Sequence, residues 1–189
     1  EQGTGKEATA VLAPGRQYLD DRIRDGVSLN TLQANNWSHV IWQAQKYSTT
    51  GQYYYSTSAA KYWVGQTKQQ QATPIMFPEH PREGNTEEGM RVYLLHKSIA
   101  SEEATCVAPV GPAWDNAILA MPEVTFYTDG NHASLEGTFL TAVLFYQIIS
   151  GEPAEDLPDI ADINLPAQVQ SELRQVAAAT LQQYIGCEY

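Results

Sequence analysis

Asp129 and His132 are two residues whose types and spacing could do acid–base chemistry together. An Asp close to a His can orient the imidazole ring and stabilise its protonated form. This is the support that a general base needs when it activates a hydroxyl nucleophile. An Asp-x-x-His spacing also arises often by chance, as a turn residue beside a surface histidine. General-base catalysis is therefore a hypothesis whose weight depends on the elements around the pair.

The flanking sequence predicts that this pair lies on a loop between a strand and a helix. The apolar run 124–127 predicts a buried strand, residues 129–131 favour a turn, and Ser134 is a suitable N-cap for an apolar helix over 135–149. Ligands of open α/β sheets bind at the carboxyl ends of the strands. We therefore expect the pair to lie at a ligand-binding edge of a sheet.

The rest of the sequence alternates short apolar strands with amphipathic helices. Further strands are predicted at 8–13, 37–43, 73–77 and 105–109, and further helices at 17–23, 29–35, 56–71, 86–103, 113–120 and 167–185. This βαβα alternation predicts a parallel sheet with helices on both faces. The acidic segment 154–164 matches no calcium-binding motif and is expected to be a solvated loop.

Composition narrows the class of protein. A chain of 189 residues with 43% hydrophobic and 17% charged residues is typical of one globular domain. The net charge of −11 argues against nucleic acid or an anionic membrane as a partner, because phosphate contacts need clusters of Lys and Arg. The sequence lacks an apolar run of about 18 residues, so no transmembrane helix is expected.

Other candidate residues have a structural and a functional interpretation. His80 and Arg82 follow a predicted strand and could contact a substrate or supply ordinary loop polarity. Tyr54, at the centre of the run Tyr53-Tyr54-Tyr55, could stack on a sugar ring or cover an apolar surface. Cys106 and Cys187 could form a disulfide, although spacing alone does not fix the geometry.

Several blocks of the sequence resemble the SGNH (GDSL-type) hydrolase superfamily, especially bacterial members with a C-terminal Asp-x-x-His block. The most specific block is Asp129-Gly-Asn-His132-Ala-Ser134 with the helix after it, ending in Ser150-Gly151-Glu152-Pro153. Val107-Ala-Pro109-Val-Gly111-Pro-Ala-Trp114 and Trp37-Ser-His-Val40-Ile-Trp42-Gln43 are similar to two further blocks, and the segment around Gly15 is a weaker match. The resemblance spans residues 13–153.

This resemblance implies a flavodoxin-like three-layer α/β/α fold with a mostly parallel sheet, in a single domain over 1–189 that ends in the acidic loop and helix of 154–189. It also implies an ester hydrolase with a Ser-His-Asp acyl-enzyme mechanism, acting without a cofactor or metal on a small acyl ester such as an acylated carbohydrate. His132 would be the general base and Asp129 its orienting partner. Gln43 and Gly15 would be weaker candidates for oxyanion donors.

This sequence departs from the family's pattern at the position of the nucleophile. In the family, the Ser follows Gly-Asp or Gly-Asn at the end of the first strand, and neither Gly-Asp-Ser nor Gly-Asn-Ser is present here. We therefore expect the first strand and its helix to be missing from this sequence. A short N-terminal polypeptide of the same precursor would then supply the Ser.

Two alternatives remain open. One is an inactive relative that binds carbohydrate through Tyr53–Tyr55 and Trp63. The weaker one is a metal hydrolase using His132, His80 and an Asp, although the four histidines lack a metal-ligand spacing. The resemblance and the low lysine content favour a secreted or periplasmic protein.

Overall fold

The computed structural model describes residues 11–12 and 15–187. These residues form an α/β fold with seven α-helices and a three-stranded parallel sheet, consistent with a three-layer α/β/α arrangement. The strand predicted at 8–13 lies outside the described residues except for Val11 and Leu12, which are exposed and not in a strand. None of the helices in the described chain combines the length and apolar character needed to cross a bilayer.

The sheet contains β1 (His39–Trp42), β2 (Thr73–Met76) and β3 (Cys106–Val107), in that order. Both pairs of neighbours are parallel, with Ile41 opposite Ile75 and Ile75 opposite Cys106. Parallel neighbours need long crossover connections, and α3 (Ser58–Gln69) and α4 (Glu88–Glu102) lie in those connections. The strands predicted at 37–43, 73–77 and 105–109 are thus confirmed.

The chain folds into two compact units. The sheet unit contains described residues 11–12, 15–79, 91–108 and 187, and so holds the sheet, α1 (Leu19–Asp25), α2 (Val27–Gln33) and α3. The helical unit contains residues 80–90 and 109–186, and so holds α5 (Val110–Ala120), α6 (Leu135–Ser150), the 3-10 turn Ala154–Asp156 and α7 (Ala167–Gln183). The unit boundary falls inside α4.

Two tryptophans organise the core of the sheet unit. The rings of Trp42 on β1 and Trp63 on α3 stack with their centroids 4.6 Å apart. The Trp63 indole N–H donates to the carbonyl of Leu19 at 2.9 Å, and that of Trp42 donates to the Thr67 hydroxyl at 2.8 Å. These bonds fix α1 and α3 to the sheet without leaving a buried indole N–H unsatisfied.

Helix α6 begins and ends as the sequence predicts. The Ser134 hydroxyl accepts the backbone N–H of Gly137 at 3.2 Å, which satisfies one of the exposed donors of the first turn. Gly151 ends the helix in the left-handed conformation, at φ 75°. The helix packs within the helical unit against α5 and α7.

The strand predicted at 124–127 is wrong. Tyr127 forms only an isolated antiparallel bridge with Ala133. The N–H of Thr128 donates to the carbonyl of His132, and that of Ser134 donates to the carbonyl of Phe126, both at 2.9 Å. Because these groups pair within a tight hairpin, the run does not join the sheet, and the hairpin leads directly into α6.

Candidate active site

Asp129 and His132 form a hydrogen-bonded pair in the turn of this hairpin. The ring Nδ1 of His132 lies 2.7 Å from Asp129 Oδ2. The other carboxylate oxygen accepts the backbone N–H groups of Asn131 at 3.0 Å and His132 at 2.8 Å. Gly130 between them has φ +80°, a left-handed conformation that glycine adopts without a steric cost. One carboxylate therefore holds both the turn and the imidazole ring.

The hydrogen bonds to Asp129 also fix its charge. The backbone N–H of His132, followed by the His132 ring and the N–H of Asn131, lowers the pKa of Asp129 to about 2. An ionised carboxylate can only accept, so Nδ1 of His132 donates to it and Nε2 is the nitrogen that carries the lone pair in the neutral ring. The His132 side chain is 76% exposed, so the ring is accessible to a reacting group.

A neighbouring segment, residues 80–85, contacts this turn and is named here the bracing loop. The backbone N–H of Glu83 donates to the carbonyl of Gly130 at 2.9 Å. The His80 ring Nε2 lies 2.9 Å from the carbonyl oxygen of Asn131, which can only accept. The bracing loop therefore holds two consecutive carbonyls of the turn between Asp129 and His132.

The bracing loop is itself held by buried groups. The carboxylate of Glu88, which is fully buried at the start of α4, accepts the backbone N–H of Arg82 at 2.9 Å and the amide of Asn85 at 3.0 Å. The hydroxyl of Tyr127 donates to the carbonyl of Pro81 at 2.9 Å. These contacts link α4 and the hairpin to the bracing loop, and so fix the loop that contacts the turn.

His80 also packs on the aromatic core of the helical unit. Its ring stacks on that of Trp114 with centroids 4.1 Å apart and planes 13° apart. Trp114 is fully buried, and Gly137 of α6 lies against it so closely that a Cβ at that position would come within 2.6 Å of the indole. The glycine thus permits the close packing of α6 on the residue that supports His80.

Sequence reasoning missed Asp115 and Tyr127. Burial raises the pKa of Asp115 to about 6, and burial together with the charges of Asp115, Glu83 and Glu88 raises the pKa of Tyr127 to about 12. Strongly shifted carboxyl groups are frequent at functional sites. Their burial depends on packing between distant segments, and the only sequence signal was the position of Asp115 directly after the Trp114 block.

The remaining predicted site residues are exposed. The Arg82 residue is exposed and uses its backbone N–H to contact Glu88. Gln43, Gly15 and Tyr54 belong to the sheet unit. Gln43 is exposed after β1, with its amide 3.5 Å from the Glu79 carboxylate, while Gly15 and Tyr54 are also exposed. Of the predicted residues, the structure therefore brings His80 together with the turn that holds Asp129 and His132.

The described residues contain no group of three His, Cys, Asp or Glu side chains arranged to hold a metal ion. The metal hydrolase considered from the sequence would use His132 and His80 as ligands. In the structure, Nδ1 of His132 contacts Asp129, and Nε2 of His80 is bonded to the carbonyl of Asn131. These two histidine nitrogens therefore stabilise the turn and its contact with the bracing loop.

No protein-family model and no curated protein matches this chain. The fold is similar to the crystal structure of a DUF4886 family protein from Bacteroides uniformis ATCC 8492, with a TM-score of 0.65 and 13% sequence identity. The similarity covers 84% of this chain and 67% of that chain. At this level of identity, the likeness establishes a shared fold.

Proposed function

We propose that this chain carries the His-Asp part of an SGNH-type carboxylic ester hydrolase. The observation that supports the proposal best is the 2.7 Å contact between His132 Nδ1 and Asp129 Oδ2. It belongs to a turn fixed by its own backbone and by the bracing loop. A general base needs this combination of a fixed ring, an ionised partner and an accessible Nε2.

In the proposed reaction, a serine hydroxyl attacks the acyl carbonyl while His132 Nε2 takes its proton. Asp129 stabilises the imidazolium that forms, and His132 then returns the proton to the departing alkoxide. His132 then acts as general base for a water molecule, which hydrolyses the acyl-enzyme. The serine would come from a short N-terminal polypeptide of the same precursor. Gln43 and Gly15 remain predictions for the oxyanion donors.

The proposed substrate is a small acyl ester, such as an acetyl group on a carbohydrate. The exposure of His132 and Asp129 supports it, because an ester on a bulky alcohol can reach an open site. The disulfide between Cys106 and Cys187 supports a secreted or periplasmic location, since such bonds persist in oxidising compartments.

The test begins with an active preparation of the protein and measures hydrolysis of p-nitrophenyl acetate. We expect His132→Ala to lower kcat by about 10²–10⁴-fold, the range for loss of a general base. His39→Ala is the matched control, because Nδ1 of His39 contacts the Ser38 hydroxyl rather than a carboxylate. Unchanged hydrolysis in His132→Ala would refute the proposal.

A fluorophosphonate probe followed by intact-mass analysis tests the origin of the serine. A second, small polypeptide that gains the mass of the probe would support the proposed nucleophile. Labelling of no polypeptide would instead favour the inactive, carbohydrate-binding relative.

A further inference from the structure

A cavity of about 430 Å³ lies in the sheet unit, beyond the carboxyl end of β1. One wall is a face of α1 that includes Leu19 and Asp20. The lining also includes Gln45 and Lys46 from the segment after β1, and Tyr55 from the segment before α3. In open α/β sheets, the carboxyl ends of the strands are where ligands bind.

The wall after β1 is held in a fixed, strained conformation. Ala44 has φ +71°, a left-handed conformation that is sterically unfavourable for a residue other than glycine. Its carbonyl accepts the backbone N–H of Leu19 at 3.2 Å. The buried amide of Gln45 donates to the carbonyls of Lys46 at 2.8 Å and Ser56 at 3.1 Å. Such strain persists where the surroundings over-determine it, and it is concentrated at binding sites.

The polar groups of the cavity are paired with one another. Lys46 Nζ lies 2.7 Å from Asp20 Oδ2 and 4.9 Å from the centre of the Tyr18 ring. Arg24 lies 4.0 Å from the same carboxylate oxygen. A charged ligand would have to compete with these pairs, whereas neutral hydroxyl groups can add hydrogen bonds to both partners without separating them.

Aromatic surface lies at the same cavity. Tyr55 is 41% exposed and forms part of the lining, and Tyr54 beside it is 84% exposed. Contiguous exposed apolar surface marks a binding region more often than single exposed residues do. The C–H face of a sugar ring can pack on a phenol ring while its hydroxyl groups reach polar neighbours.

We infer that this cavity binds a neutral carbohydrate, with a sugar ring against Tyr55 and its hydroxyl groups bonded to the Asp20–Lys46 pair. The inference does not rest on the proposed esterase activity, because Asp129 and His132 take no part in it. A binding measurement on the chain alone can therefore test it.

The test is a ¹H–¹⁵N NMR titration of the chain with cellotetraose, xylotetraose and maltotetraose, with tetragalacturonate as the charged comparison. We expect at least one neutral sugar to shift the amide signals of Gln45, Lys46 and Ser56. Tyr55→Ala should weaken that binding by about tenfold, as for a central aromatic contact, while Tyr55→Phe keeps it. Tyr53→Ala is the matched control, since Tyr53 is 70% exposed in the same run and does not line the cavity.

The inference is overturned if none of the three neutral sugars shifts these signals, or if tetragalacturonate alone does so. It is also overturned if Tyr53→Ala weakens binding as much as Tyr55→Ala does in variants with well-dispersed spectra. His132→Ala should leave sugar binding unchanged, which separates this site from the proposed catalytic one.

Discussion

At the scale of single residues, Asp129 has two roles. One of its oxygens closes the turn through two backbone N–H groups, and the other holds the His132 ring. Because these bonds lower its pKa to about 2, its contribution to the order of the turn is complete above its ordinary pKa near 3.8. That contribution is lost only as the pH falls through about 2, so the turn should remain intact over the range in which esterases are assayed.

Asp129→Asn should therefore loosen the turn without removing its shape. An amide oxygen can still accept the two backbone N–H groups, but a neutral acceptor forms weaker bonds than a carboxylate. We expect the amide hydrogens of Asn131 and His132 to exchange severalfold faster, measured by NMR. Asp25→Asn is the control, because Asp25 accepts two backbone N–H groups in a similar turn, from Val27 and Ser28. Equal exchange in wild type and Asp129→Asn would contradict this role.

His96 makes a separate contribution to the pH dependence of stability. It is buried in α4, its Nδ1 contacts the carbonyl of Val92 at 2.8 Å, and its Nε2 has no partner among the described residues. Burial lowers its pKa from the ordinary 6.5 to about 4. The unfolded chain therefore takes up a proton at higher pH than the folded chain, so stability falls between pH 6.5 and 4.

We expect this titration to reduce the free energy of unfolding by about 3 kcal/mol over that interval. His96→Leu should remove this part of the pH dependence, because leucine does not titrate. Urea unfolding at pH 7 and pH 4 measures the difference for each protein. If His96→Leu lost as much stability as wild type between these pH values, other groups would be responsible.

At the scale of elements, the bracing loop stabilises the turn that holds Asp129 and His132. His80→Phe should keep the ring stack on Trp114 and remove the hydrogen bond to the carbonyl of Asn131. We expect the turn to lose about 1 kcal/mol of local stability, the usual net value of one hydrogen bond. Faster exchange of the His132 amide should accompany a lower kcat in the ester assay. If exchange and kcat were both unchanged in the variant, the hydrogen bond from His80 would not be needed to hold the turn.

The starts of α4 and α5 approach each other through two glycines. A Cβ at Gly111 would come within 2.6 Å of the Gly89 backbone, so Gly111→Ala must push the two segments apart. We expect a loss of about 1–3 kcal/mol of unfolding free energy. Gly65→Ala in α3 is the matched control, because no atom lies within 4 Å of the new Cβ. It should stabilise the chain by about 0.5–1 kcal/mol, and thermal unfolding distinguishes the two outcomes.

Local sequence predicted the elements whose stability depends on their own pattern. The helix predicted at 86–103 is Glu88–Glu102, and the one predicted at 135–149 is Leu135–Ser150. An apolar periodicity marks both helices, and Ser134 and Gly151 cap the second. The run 124–127 has the composition of a strand but pairs with its own hairpin. Asp129 and Gly130 reverse the chain directly after this run, so Tyr127 pairs with Ala133 of the same hairpin and not with a strand of the sheet.

In the candidate site too, local contacts could be predicted from the sequence and long-range contacts could not. The contact between Asp129 and His132 follows from a spacing of three residues in one turn, so the sequence was sufficient to predict it. The bonds from His80 and Glu83 join segments about fifty residues apart, and no local pattern reports such a distance. The same holds for the raised pKa of Asp115, which results from burial in the folded protein.

At the scale of the whole molecule, the disulfide is the longest covalent constraint. It joins Cys106 at the start of β3 to Cys187, across 81 residues of sequence. The sequence left this pairing open, and the structure shows it within the sheet unit. Such a cross-link restricts the unfolded chain more strongly when the loop that it closes is long.

Reduction of this disulfide should lower the free energy of unfolding by about 4.5 kcal/mol, from the chain entropy of a loop of this length. Guanidinium unfolding with and without a reductant measures the loss. The double variant Cys106→Ala with Cys187→Ala should match the reduced wild type within the cost of removing two thiol groups, and the reductant should leave it unchanged. If the reductant did not change the unfolding midpoint of wild type, the cross-link would contribute little. The stability of the sheet unit would then come from its non-covalent contacts, including the packing of Trp42 and Trp63 and the pairing of the parallel strands.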